Sequence, residues 1–165
     1  MKVLGVGCCW EELTVGEQFR TLRRTLTETD LVNFISVTGM TEVIFIDATH
    51  GDHSGAIRGR FVPGALTYTI IEGLQCQGFF QGTGLAMLEL EQKVLKPVFV
   101  GDTVYAEIEV IGIRPTSRGG RAIVSSMNNV RNQHAELVMT YKAVRMMAGR
   151  IERDAVGRAP NERIA

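Results

Sequence analysis

Neither sign of charge is in excess in this chain: 18 Lys and Arg balance 18 Asp and Glu, for a formal charge of zero. That balance removes the electrostatic pull toward nucleic acid or an anionic bilayer, so neither is expected as a partner. Long apolar runs are missing too, and no stretch reaches the roughly 18 residues of a membrane span. Only three cysteines occur, Cys8, Cys9 and Cys76, an odd number without zinc-ligand spacing. Reduced thiols in the cytoplasm are therefore expected rather than a disulfide framework or a metal centre. Cys76 sits in an apolar segment with no histidine near it, which reads as a buried structural thiol rather than a nucleophile. The opening MKVLGVGCCW runs straight into Glu11 and Glu12, without the apolar core or cleavage site of an export signal.

What is present is pattern. At 165 residues the chain suits one domain that buries roughly 70% of its unfolded surface. Residues 17–28, EQFRTLRRTLTE, mix Phe19, Leu22 and Leu26 with charges and threonines, as a strand with one wet face would. Thr29 offers a cap ahead of Asp30, and Leu31, Phe34 and Ile35 recur at helical spacing, predicting a short helix over 30–38 that ends at Gly39. After Pro63 and Gly64, the residues Leu66, Ile70 and Leu74 stack at i, i+4 and i+8 beside Ala65 and Ile71. Glu72 is the sole charge between Pro63 and Phe80. A helix so apolar around its circumference is expected to be enclosed.

The rest of the chain supplies strands to enclose it. MLELEQKVL alternates Leu88 and Leu90 with Glu89 and Glu91; VYAEIEVIGI alternates Val104, Ala106, Ile108 and Val110 with Tyr105, Glu107 and Glu109. Gly101 and Asp102 mark one turn, Pro115, Gly119 and Gly120 the next, and Arg131 to His134 the last, before RAIVSSMNNV and AELVMTYKAVRMM complete the set. The expected class is α+β, an antiparallel sheet wrapped around a central buried helix, over residues 1–148. Residues 149–165 lack periodicity and read as a loosely ordered polar tail.

Three segments carry a resemblance. WEELTVGEQF, VPGALTYTIIEGL and LKPVFVGDTVYAEIEV, in this order and spacing, resemble the MaoC-like, (R)-specific enoyl-CoA hydratase family of hotdog-fold proteins over about residues 10–147. The resemblance implies a homodimer or a dimer of related halves, with acyl thioesters of coenzyme A or acyl carrier protein held between subunits and no metal or other cofactor. In active members a Gly-Asp-x-Asn-Pro-x-His motif holds and activates water. Laid onto GMTEVIF, Gly39 matches, but Met40 stands for the aspartate, Glu42 for Asn, Val43 for Pro and Phe45 for the histidine; Asp47 matches an acid that often follows. Methionine and phenylalanine cannot accept a proton, so the usual pair is absent.

Two features remain. Gly64 falls where the family aims a helix N-terminal N–H at the thioester carbonyl. Asp47, His50, Asp52 and His53 offer acid and base types a few residues downstream of the lost pair. Asp47 and His50, with Glu42 as a partly buried substitute base, are the candidate catalytic residues. Gly64, Met40 and Phe45 are the candidate substrate-binding residues, the last two as apolar lining or as core. The competing reading of residues 47–53 is an ordinary exposed turn, and a metal held by His50, His53 and Asp47 lacks a clear further ligand. Tyr68 reads as a buried tyrosine with a satisfied hydroxyl, and Arg118, Arg121 and Arg131 as solvent-facing charge or a hold on a coenzyme A phosphate. The expected function is hydratase or dehydratase with a non-standard site; the alternatives are a noncatalytic hotdog subunit or a pocket turned to another reaction such as thioester hydrolysis.

Overall fold

The computed structural model describes residues 5–50, 52, 59–117 and 119–156. His53, Arg118 and residues 157–165 of the tail lie outside them. Six antiparallel strands form one sheet in the order β1–β4–β5–β6–β3, with β2 also paired to β4. The strands are β1 (Gln18–Arg20), β2 (Arg24–Thr25), β3 (Gly84–Val94), β4 (Thr103–Pro115), β5 (Arg121–Arg131) and β6 (Leu137–Ala148). The helices are α1 (Glu28–Thr38), α2 (Val43–Ile46), α3 (Gly64–Cys76) and α4 (Arg150–Val156). Among the described residues no helix is long and apolar enough to cross a membrane.

The core follows from the two periods. Every second residue of β5 and β6, and of β4 as far as Val110, is buried, and Ile108, Val110, Val124, Val130, Met139 and Tyr141 share one apolar cluster with Leu66, Ile70, Ile71 and Leu74 of α3. The α+β class stands, as does the strand alternation in β4.

Five expectations are corrected. The predicted first strand is two short strands, because Thr21 still bonds Ala106 through N–H and hydroxyl, whereas Leu22 turns outward into solvent. Helix α1 starts two residues early: Thr27, not Thr29, is its cap, and its hydroxyl and N–H exchange hydrogen bonds with Asp30. Helix α3 is not wrapped on all sides by this chain, since Ala65, Thr69 and Gly73 stay exposed. Nor is β3 half-buried: Leu85, Met87, Leu88, Leu90 and Val94 are all exposed, because β6 flanks the strand on one side and nothing among the described residues pairs with the other. At the C-terminus, residues predicted to be loose form α4, which is tied back by Arg121 to Glu152 and by Arg153 to Glu12.

Candidate active site

The site's loop begins where Gly39, at φ 70°, ends α1 in the left-handed region that glycine adopts without penalty. Met40 follows with its side chain exposed, so it is not core. Glu42 then accepts N–H bonds from Phe45 and Ile46 on its carbonyl and starts the single turn of α2. Glu42 is exposed, not partly buried as the sequence suggested.

Arg60 fixes this turn in space. Its Nε donates to both carboxylate oxygens of Glu28 at 3.0 and 3.1 Å, its Nη2 adds 2.8 Å to Oε1, and its Nη1 donates to the carbonyl of Phe45. The Phe45 ring stacks on Phe61 at 5.7 Å, and Phe61 in turn meets Phe99 edge-on at 6.3 Å. Backbone bonds from Val62 to Val98 and from Val100 to Arg60 then carry the chain into Pro63 and α3. Phe45 is thus packed against the segment, bridged at Phe61 to Phe99, that delivers Gly64.

Gly64 opens α3 where β3 ends and β6 begins. A Cβ on it would lie 3.0 Å from Cγ2 of Val94, 3.9 Å from Nε2 of Gln92 and 4.0 Å from Cε of Met139. Gly64 thus lets the helix start pack closely against the side chains at the ends of β3 and β6; the Leu66 N–H bonds the Pro63 carbonyl at 3.0 Å, which leaves the N–H groups of Gly64 and Ala65 without an intrahelical acceptor. The positive end of a 13-residue helix lies there. Gln92 is a site residue the sequence reading missed. Its signal was available: a neutral amide in β3 where the alternation Leu88, Leu90 calls for another apolar residue.

Asp47 and His50 share a turn, with the His50 N–H bonded to the Asp47 carbonyl at 3.2 Å. The Asp47 carboxylate accepts from the Thr49 N–H at 2.8 Å and from its hydroxyl at 2.7 Å, an Asx-type arrangement that orders the turn. His50 is half-buried; Asp52 is exposed and bonds backbone to backbone with Thr49. His53 lies outside the described residues.

A buried polar cluster on α3 was also missed. Glu72 receives Arg145 through Nη2 at 2.5 and 2.7 Å and the Tyr141 hydroxyl at 2.9 Å; Gln75 joins through Nε2 to Tyr141 at 2.5 Å and to Asn128 at 3.2 Å. The guanidinium also lies 4.8 Å from the Phe80 ring centroid. Burial, with the Glu72 charge adding, pushes the hydroxyls of Tyr141 and Tyr68 and the thiol of Cys76 up from their ordinary pKa values. Cys76 is therefore held as a neutral thiol, and Tyr68, half-buried and edge-on to Tyr141 at 5.2 Å, is not a ready proton donor. Arg121 and Arg131 are engaged with Glu152 and Glu107.

The family model described as MaoC like domain matches residues 11–133. A mesaconyl-CoA hydratase from Cereibacter sphaeroides is 41% identical over 70 residues, which is 42% of this chain but 20% of that protein. The matched part is thus a small fraction of the relative. Among solved structures, the MaoC-like dehydratase from Rhodospirillum rubrum superposes with a TM-score of 0.76 at 24% identity, covering 87% of this chain and 99% of the other. A Mycobacterium tuberculosis protein with a double hotdog fold gives 0.78 at 17% identity, covering 96% of this chain and 52% of that one. The sheet curled on α3 is accordingly the hotdog arrangement, and the sequence match runs from the segment before β1 to the turn after β5. On the strength of that sequence match the chain belongs to the MaoC-like domain family.

Proposed function

We propose that this chain binds an acyl thioester of coenzyme A or of an acyl carrier protein, and adds water across, or removes it from, the carbons next to the carbonyl. The observation that supports the reading is the N-terminus of α3 at Gly64, where the N–H groups of Gly64 and Ala65 lie without intrahelical acceptors close to the Gln92 amide. A thioester oxygen placed there gains partial charge as water attacks the β-carbon, and fixed donors stabilise that charge without reorganising. The reaction also needs a base to take the proton of water and an acid to protonate the α-carbon. Met40 and Phe45 supply neither. Asp47 and His50 are the proposed replacements, the carboxylate positioned by Thr49 and the imidazole able both to accept and to donate a proton. Glu42 is the second choice because of its exposure.

A second reading has its own support. The β3 edge is eleven residues long, unpaired on its outer side among the described residues and lined with exposed apolar side chains, whereas the β1 edge has three residues. An edge of that kind favours pairing with another chain. A second copy gives a homodimer; a relative carrying the intact motif gives an unequal pair in which this chain holds the acyl group.

Loss of crotonyl-CoA or mesaconyl-CoA absorbance with the purified chain separates the readings. Turnover by the chain alone that is lost in Asp47→Asn or His50→Gln supports the relocated pair. Turnover only after mixing with a motif-bearing relative supports the subunit. Rates unchanged in Asp47→Asn, His50→Gln and Glu42→Gln alike would remove all three from the chemistry.

A further inference from the structure

β1 closes the sheet at the end away from β3, and its outer edge has backbone groups to spare. The Glu17 carbonyl accepts from the Val110 N–H at 3.0 Å, and the Thr21 N–H donates to the Ala106 carbonyl at 3.0 Å, so residues 17 and 21 face β4. Bonds to one neighbour alternate along an antiparallel strand, so the N–H and carbonyl groups of Gln18 and Arg20 point the other way. Nothing among the described residues bonds to them.

The two faces beside that edge differ. On the inward face a half-open groove of about 270 Å³ runs between β1 and the last turn of α3, with Phe19, Leu74, Phe79 and Ile108 as apolar walls and Leu22, 73% exposed, at the rim. On the outward face the guanidiniums of Arg20 and Arg23 lie 6.0 and 4.9 Å from the ring centroid of Tyr105. Neither has a carboxylate partner among the described residues. Glu107, opposite Arg20, is engaged by Arg131; Glu109 takes the Gln18 side-chain amide at 3.4 Å; Asp30 is held by Arg24. Two uncompensated positive charges thus stand together on a chain whose formal charge is zero.

We propose that this edge docks an extended peptide segment of a partner protein, in which one bulky apolar residue is flanked by acidic residues. The main chain of an added strand satisfies the outward groups of Gln18 and Arg20. Its side chains alternate between the faces, so the residue opposite Phe19 enters the groove and its two neighbours fall on the outward face. A space of roughly 150 Å³ takes benzene, so the groove accommodates a leucine or phenylalanine side chain. On the outward face the two arginines favour carboxylates and oppose lysine. An edge of three residues suits a short motif rather than the edge of a second folded sheet.

The test uses the full chain, isotopically labelled, titrated with the peptide acetyl-Ser-Glu-Asp-Leu-Glu-Asp-Ser-amide. Saturable shifts are expected at the amides of Gln18, Arg20 and Leu22 and at the methyls of Leu74 and Ile108, with an affinity that falls as salt is added. Glycine in place of the peptide's leucine should cost at least about ten-fold in affinity, and lysine in place of every acid should abolish binding. Gln18→Pro removes an outward N–H at an edge position, where proline is tolerated, and leaves the ladder to β4 intact. It should weaken the acidic peptide at least about five-fold. Arg20→Gln together with Arg23→Gln should weaken it and remove most of the salt dependence. Equal affinity for the acidic and lysine peptides, unchanged affinity in Gln18→Pro, shifts centred on β3 instead of β1, or no saturable shift would each overturn the proposal. Should Gln18→Pro fail to fold, the three peptides on the natural chain and the double arginine variant still decide it.

Discussion

Arg145 grips both carboxylate oxygens of Glu72 through one nitrogen, at 2.5 and 2.7 Å, across 73 residues of sequence, and ties the middle of α3 to β6. The Arg145 side chain is 5% exposed and that of Glu72 19%. Removing one partner strands the other. Arg145→Met is expected to cost about 3–5 kcal/mol in urea unfolding, whereas the double change Glu72→Leu with Arg145→Leu should cost clearly less than the single. Equal losses in the two variants would mean that the pair is not coupled.

The α1 cap sets an acid limit on stability. Burial raises the pKa of Asp30, but the N–H and hydroxyl of Thr27 and the guanidinium of Arg24 outweigh it and hold the carboxyl below its ordinary value. A carboxylate lowered in the folded state contributes stability that is fully present above the unfolded value of about 3.9 and is lost as pH falls through the lower folded value. Thr27→Ala should cost about 1 kcal/mol at neutral pH. It should also shrink the part of the acid-limb slope that belongs to Asp30, read from unfolding midpoints between about pH 2 and 5. A slope identical to that of the natural chain would show that Asp30 is not held by Thr27.

Arg60 is expected to act locally. Arg60→Met removes the bonds to Glu28 and to the Phe45 carbonyl, so amide protection should fall at Phe45, Ile46 and Asp47 while β4–β6 keep theirs. Arg60→Lys should restore part of it, since a single ammonium cannot reproduce the fork. A uniform loss across the sheet would contradict this assignment.

At Gly64 stability and function should separate. Gly64→Ala places a methyl 3.0 Å from Cγ2 of Val94, an exposed side chain at the end of β3 that can turn aside. Better helix propensity offsets that contact, so the melting temperature should hold. The same methyl intrudes on the carbonyl's approach, and a displacement near 1 Å costs about 10²-fold in rate. A fall in melting temperature that accounts for the lost activity would contradict the role given to this glycine.

The central strands were legible because their alternation depends only on the chain's own core: Val104, Ala106, Ile108 and Val110 turn inward as their spacing requires. β3 was not, although Leu88 and Leu90 alternate as cleanly, because burial at an edge depends on what lies beyond the chain. The cap was misplaced by two residues because Thr27 and Thr29 offer the same hydroxyl. Only the reciprocal Thr27-x-x-Asp30 bond distinguishes them. At the candidate site, the sequence singled out Gly64, Met40 and Phe45 by their place in a motif, but gave no pairing of Gln92 with Gly64, nor of Arg145 with Glu72. Both are long-range juxtapositions created by the β3–β6 register and by α3 lying across it.

The most direct measurement is a structure of the chain with bound butyryl-CoA, a saturated thioester that cannot take up water. The account predicts its carbonyl oxygen about 3 Å from a first-turn N–H at Gly64, with the α and β carbons directed toward the loop that carries Phe45 and Asp47. A thioester carbonyl seated away from that turn, or a first turn of α3 that stays closed to the ligand, would contradict it.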